Sequence, residues 1–177
     1  MHLIRCLLLG CLVVVVQLEG APRRGGTALT RYLRQPDTAF AWKVGEPGPV
    51  DNDRVVRLKL TSQQWRDTTW QHDILLVRPA ETRHPNAALL LVTGSKKLDR
   101  YIPYLRLLAD RAGASAAVVN NVPNQPLFGG KKEDALIAHT FQQYLKTGDE
   151  TWPLLFPMVK SAVRAMDAVS AHAGKYD

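Results

Sequence analysis

Two short apolar runs, residues 87–93 and 114–119, flank a segment whose apolar residues recur at helical spacing. Runs of this length, without polar alternation and closed by glycine or asparagine, fit strands buried on both faces. Between them, over residues 99–111, Ile102, Leu105, Leu108 and Ala109 fall on one side of a helix, and Gly113 stands where that helix should stop. Strand, helix and strand in that order require a crossover and a parallel pair, which restricts the chain to an α/β architecture.

The flanking segments extend the pattern. Val56, Leu58 and Leu60 alternate with Arg57, Lys59 and Thr61, the period of a half-buried strand. A second strand covers Ile74 to Val77 and ends before Pro79. These two read as an antiparallel hairpin with a wide turn. Residues 133–145 form a further helix, with Ala135, Leu136, Ala138, His139, Gln142 and Leu145 as its expected inner face and Gly148 as its stop. The last helix, over 157–172, carries Val159, Ala162, Val163, Met166 and Val169.

Before the fold begins, residues 1–20 read as a secretory signal. Arg5 supplies the positive start, 6–18 is an apolar run broken only by Gln17, and Gly20-Ala21 supplies small residues. The run is shorter than the roughly 20 residues a membrane span needs. Export to the periplasm or the medium is therefore expected, with an uncleaved membrane anchor as the alternative. Residues 21–31 form a flexible lead-in and 32–177 the domain. Both cysteines, Cys6 and Cys11, lie inside the signal, so the exported chain has no disulfide, thiolate metal site or cysteine nucleophile.

The formal net charge of +7 is dispersed. Arg23, Arg24, Arg31 and Arg34 precede the domain, and Lys96-Lys97 and Lys131-Lys132 mark two loops. No aromatic interleaving or nucleic-acid motif accompanies them, so no nucleic-acid partner is expected. Weak attraction to an anionic envelope surface is the alternative to a simply solvated face. No pair of histidines at helical spacing and no carboxylate cluster suggests a metal, and no cofactor is expected.

Several motifs agree in order along the chain. They are Tyr32-Leu33, Pro36-Asp37 with Phe40 and Trp42, Ser62-Gln63-Gln64-Trp65, Trp70-Gln71-His72 and Val122-Pro123-Asn124-Gln125-Pro126-Leu127. Glu133-Asp134-Ala135-Leu136-Ile137-Ala138, Trp152-Pro153, Pro157-Met158-Val159-Lys160 and Arg164-Ala165-Met166-Asp167 complete the set. Over 32–167 the chain resembles the PhoPQ-activated pathogenicity-related proteins, a secreted family that also takes in the autocrine proliferation repressors. The resemblance implies an exported protein, linked in bacteria to envelope stress and resistance to host peptides. It also implies the N-terminal part of an α/β-hydrolase-like fold, an antiparallel entry hairpin followed by parallel strands with crossover helices.

In such folds ligands bind outside the carboxyl ends of the strands, where two loops fall. The resemblance makes Gly94 and Ser95 a candidate oxyanion loop, although the family shows a glycine pair at this place. Ser95 has no nucleophile elbow around it. The second loop offers Asn121, Asn124 and Gln125 either as pocket-lining groups or as partners for buried backbone. In the family the elbow serine follows a helix like 157–172, with acid and histidine later still. No catalytic residue is therefore assigned, and the chain is expected to be inactive by itself. A non-enzymatic secreted binding or signalling role on the same fold is the alternative. Either a separately encoded C-terminal half or self-association through an open sheet edge, at 114–119, is the expected partnership. His72 and His139 read as structural, and His84 and His172 as exposed.

Overall fold

The computed structural model describes residues 26–49, 51–52 and 54–173. The signal segment 1–20 and the lead-in up to residue 25 lie outside the described residues. Residues 28–31, assigned to the lead-in from sequence, instead form the start of a helix, α1 (Ala28–Arg34), capped by the Thr27 hydroxyl and burying Tyr32.

The rest is a five-stranded sheet of β1 (Ala41–Val44), β2 (Val55–Trp65), β3 (Thr68–Val77), β4 (Ala88–Val92) and β5 (Ser115–Val119). Their spatial order is β1-β2-β3-β5-β4. A short 3-10 turn, Asp99–Tyr101, leads into α2 (Ile102–Ala112), and the chain closes with α3 (Glu133–Thr147) and α4 (Leu155–Ala173). The α/β class holds, and α2 links the parallel pair β4 and β5 as the sequence required. The sheet is nonetheless mixed, because β5 also pairs antiparallel with β3.

That pairing corrects two expectations. β5 is an inner strand, so the open edge is not at 114–119 but at β4. β4, read as buried on both faces, has Leu89 and Val92 41% and 48% exposed, and among the described residues no strand lies on its outer side. An apolar run specifies a strand that needs cover; it does not specify which neighbour supplies it.

Side-chain alternation sorts the sheet into two faces. Val55, Leu75, Val77, Ala116 and Val118 meet Ile102, Leu105 and Ala109 of α2 on one face. Leu58, Leu60, Ile74, Leu76, Ala117 and Val119 meet Ala165, Ala168 and Val169 of α4 on the other. The result is a layer of sheet between two layers of helix, the arrangement that buries both sides of an inner strand.

The hairpin departs from the expected wide turn. β2 and β3 run through the Ser62–Trp65 and Trp70–His72 motifs and close at Arg66-Asp67, with Arg66 at φ 54°. A bulge lies between Thr61 and Gln63. Before it Leu58 and Leu60 face α4; after it Gln63 and Trp65 do, and Ser62 at the bulge points the same way. One extra residue shifts the phase of everything beyond it. The tip thus presents Trp65 and Trp70 to a third cluster with Tyr32, Leu127, Leu136 and Leu154.

The helical faces also shift. In α3 the buried residues are Leu136 and Thr140, while Leu145 is 80% exposed. Thr140 is inward because its hydroxyl accepts the Leu154 N–H at 3.2 Å. In α4 the buried set is Pro157, Lys160, Ser161, Ala165, Ala168, Val169 and His172. Val159 and Met166 are left partly wet, and His172, read as exposed, is buried. Small and polar residues face the sheet because polar groups wait for them there.

Candidate functional site

At the carboxyl ends of β4 and β5 the two predicted loops are tied together. Thr93 N–H donates to the Val119 carbonyl at 3.0 Å, and Val122 N–H to the Thr93 carbonyl at 3.1 Å. Gly94 and Ser95 sit in the first loop. Ser95 N–H donates to Thr93 Oγ1, and Ser95 Oγ accepts from Lys97 N–H, both at 3.2 Å, so its hydroxyl is engaged in its own turn. Gly94 has ordinary backbone geometry, and a Cβ there would lie 3.6 Å from the Val122 carbonyl, so the position does not demand glycine.

The amides of the second loop turn to backbone and helix. Asn121 and Asn124 both donate from Nδ2 to the Gln71 carbonyl, at 3.3 and 2.7 Å. Gln125 Oε1 accepts the Glu133 N–H at 2.9 Å, satisfying a donor at the start of α3 that the helix cannot pair itself. Asn120 is more buried than any of these. Its Oδ1 accepts Asp73 N–H at 2.6 Å, and its Nδ2 donates to Asp73 Oδ2 at 3.2 Å, locking the loop to β3.

Beside these loops a cleft of about 670 Å³ opens on the sheet, lined by Lys43, Lys59, Thr61, Gln71, Asp73, Lys96, Asn120 and Asn121 among others. Strand register explains its chemistry. Lys43 lies opposite Lys59 and Lys59 opposite Asp73, while Thr61 lies opposite Gln71. These residues share the sheet face that α2 packs on further along. Helix α2 ends short of them, so the polar half of the face stays open. A second hollow, about 740 Å³, continues from it past Arg57, Lys97 and Arg100 and shares Lys59, Asp73 and Lys96.

On the opposite face, beneath α4, lies a buried polar chain. The His72 ring bonds the Asn120 carbonyl through Nδ1 and Ser62 Oγ through Nε2, each at 2.9 Å. Ser62 Oγ is 3.0 Å from Ser161 Oγ, and Gln63 donates to the Pro157 carbonyl at 2.7 Å and to Ser161 Oγ at 3.1 Å. Tyr32 donates to Gln63 Oε1 at 2.7 Å. Alongside, Lys160 Nζ meets Asp37 Oδ2 at 3.0 Å with both side chains almost fully enclosed. His72 sits within β3, and burial is the main reason its pKa is held below the ordinary value.

Ser62 and His72 make a serine–histidine pair, yet neither reaches solvent, with 0% and 4% exposure. The third position is a backbone carbonyl, which supplies no negative charge for an imidazolium. The pair therefore works as a structural link between sheet and helix. His139 packs against Phe128, with ring centroids 5.0 Å apart, and against Trp152. Among the described residues, no group of three or more histidine, cysteine, aspartate or glutamate side chains is placed to hold a metal ion. No described helix is long and apolar enough to cross a membrane.

Sequence reading missed this chain and the cleft. The available signal was phase: Ser62 continues the inward series of Leu58 and Leu60 with a hydroxyl, and Lys160-Ser161 interrupts the helix 157–172 on the side of Pro157 and Ala165. A polar residue on an inward position requires a partner elsewhere.

No solved structure matches the chain. A similar protein is autocrine proliferation repressor protein A of Dictyostelium discoideum, 25% identical over 159 residues, which cover 81% of this chain and 32% of the relative. The chain thus spans about a third of the length of that curated relative. Residues 29–176 match the model of the PhoPQ-activated pathogenicity-related proteins, and the chain belongs to that family.

Proposed function

We propose that this chain is an exported, α/β-hydrolase-like sheet module that does not catalyse by itself and is completed by further family sequence along β4. The observation that carries this reading is the β4 edge. It belongs to a parallel pair, a type of sheet normally covered on both faces, yet its outer side has no strand partner among the described residues. Leu89 shares its face with Leu91, which packs against the α2 cluster, and Leu107 on α2 is 57% exposed. A strand apolar on both sides, followed by an amphipathic helix, fits this edge. In a hydrolase-like arrangement such a strand would bring the nucleophile to the same end as Gly94, Ser95 and the cleft.

The one serine in the candidate oxyanion loop, Ser95, has no histidine among its hydrogen-bond partners. A serine hydrolase needs a base within hydrogen-bond reach of its nucleophile. The full chain should accordingly remain unlabelled by a fluorophosphonate probe. Mixing it with the longer remainder of a full-length family member should yield labelling on that remainder. Labelling of this chain that disappears in Ser95→Ala would overturn the reading.

The cationic cleft favours a second role, recognition without catalysis, on the same module. The relative's name describes repression of proliferation, a role that recognition alone can serve.

A further inference from the structure

We infer that the cleft between β1–β3 and the loop after β4 is a binding site for a small polyhydroxylated anion, a sugar phosphate or sugar acid. Its walls carry three ammonium groups, Lys43, Lys59 and Lys96, against one carboxylate, Asp73. Lys59 bonds Asp73 at 2.5 Å, which neutralises one of the three. None of the ion pairs among the described residues involves Lys43 or Lys96.

The placement of Lys43 is the informative feature. It stands directly across from Lys59 in the β1–β2 register. Like charges in that relation repel and destabilise the pair. Elsewhere this sheet places opposite charges together: Arg57 is bracketed by Asp51 and Asp99, at 2.6 and 2.8 Å, and Arg54 pairs with Asp110. Lys43, set beside a Lys59 that already shares Asp73, and Lys96, brought in by the loop after β4, leave two charges without an ion pair among the described residues, and an anion in the hollow relieves both. The concave shape strengthens the field there relative to a flat surface.

The remaining lining defines the rest of the ligand. Thr61 and Gln71, opposite one another on the same face, offer a hydroxyl and a primary amide whose side chains form no hydrogen bond among the described residues. Such groups pair with hydroxyls. A volume of about 670 Å³ falls within the usual range for small-molecule sites. Phosphate or carboxylate between Lys43 and Lys96, with hydroxyls toward Thr61 and Gln71, uses each of these groups. This inference does not depend on the hydrolase-like reading, since no reaction is involved.

The test is calorimetric titration of the full chain with glucose 6-phosphate, glucuronate and glucose, repeated at raised salt. Either anionic sugar should bind, glucose should not, and affinity should fall with salt. Lys43→Ala and Lys96→Ala should each weaken binding about tenfold, the loss of one charge-assisted contact. Lys132→Ala, which does not line the cleft, should leave it unchanged. Lys43→Ala should also raise Tm without ligand, because it removes the like-charge pair, so loss of binding would not reflect misfolding. Vesicles of phosphatidylcholine with phosphatidylglycerol form a further arm. Binding to those vesicles alone, or equal binding by the wild type and the Lys43→Ala/Lys96→Ala double variant, would overturn the proposal. No binding by either anionic sugar at millimolar concentration would overturn it too.

Discussion

At the scale of single residues, His72 sets how the protein answers acid. Its ring is enclosed and hydrogen-bonded at both nitrogens, and burial holds its pKa below the ordinary 6.5 despite the neighbouring Asp73. An unfolded chain therefore takes up a proton on this side chain at a pH where the folded chain does not. Where the unfolded state binds more protons, stability rises with pH. The contribution of His72 is complete above about pH 6.5 and is lost as pH falls toward the depressed folded value. The carboxylates held below their ordinary range act in a separate, more acidic window. These are Asp51 through its bond to Arg57, Asp110 through the Ala80 N–H and Asp149 through Thr151. Thermal melts of the full chain from about pH 7.5 to about pH 5.5 should thus show falling Tm, and His72→Gln should flatten that slope although it lowers Tm at neutral pH. An unchanged slope in His72→Gln would place the acid sensitivity elsewhere, with His139 next to be replaced, since burial and Lys131 lower its pKa too.

Elements are decided by a few stop and phase signals, and Gly113 is the clearest. It ends α2 at φ 63°, its N–H bonding the Ala109 carbonyl at 2.8 Å, and a Cβ there would run into the Arg83 side chain. Both the left-handed backbone and the close approach favour glycine. Gly113→Ala should cost about 1–2 kcal/mol in urea unfolding, from the backbone conformation before any displacement of Arg83. A loss under a few tenths would mean that the turn relaxes freely. This stop was legible in the sequence, as were the helical period of 99–111 and the alternation of 56–61, because each is a local rule. The bulge at Ser62 was not. Its cause is remote: Ser62 shares a hydrogen bond with Ser161, and Gln63 donates to the Pro157 carbonyl, both on α4 and almost a hundred residues away. For the same reason the inward side of α4 could not be found from its valines. Gly94, Ser95, Asn121, Asn124 and Gln125 could be placed at the right end of the sheet by the crossover rule. The amides' attachment to Gln71 and Glu133 depends on how β3 and α3 lie against the loop.

For the whole molecule the consequence of the strand order is a sheet with unequal sides. β1 is short, with Lys43 and Val44 exposed, and a lysine on such an edge discourages pairing. β4 has no such protection. Its five residues are Ala88-Leu89-Leu90-Leu91-Val92, free of charge and of proline, and its outer backbone groups have no strand partner among the described residues. Leu90 reaches the α4-side cluster and Leu91 the α2-side cluster, so both faces of the edge strand are apolar. Exposed Tyr104, Leu107 and Leu108 extend the apolar surface along α2. On the proposed reading, a second copy or a strand from further family sequence would satisfy the same groups, and the two would compete for one edge. Without the latter, sedimentation of the full chain should show association that grows with concentration. Val92→Lys, half-exposed and at the strand's end, should shift the distribution toward monomer with little change in Tm, since it adds charge to the edge without opening a cavity. If association persists unchanged in Val92→Lys and in Leu89→Lys, the contact lies elsewhere, and β4 loses its standing as the seam at which this module is completed.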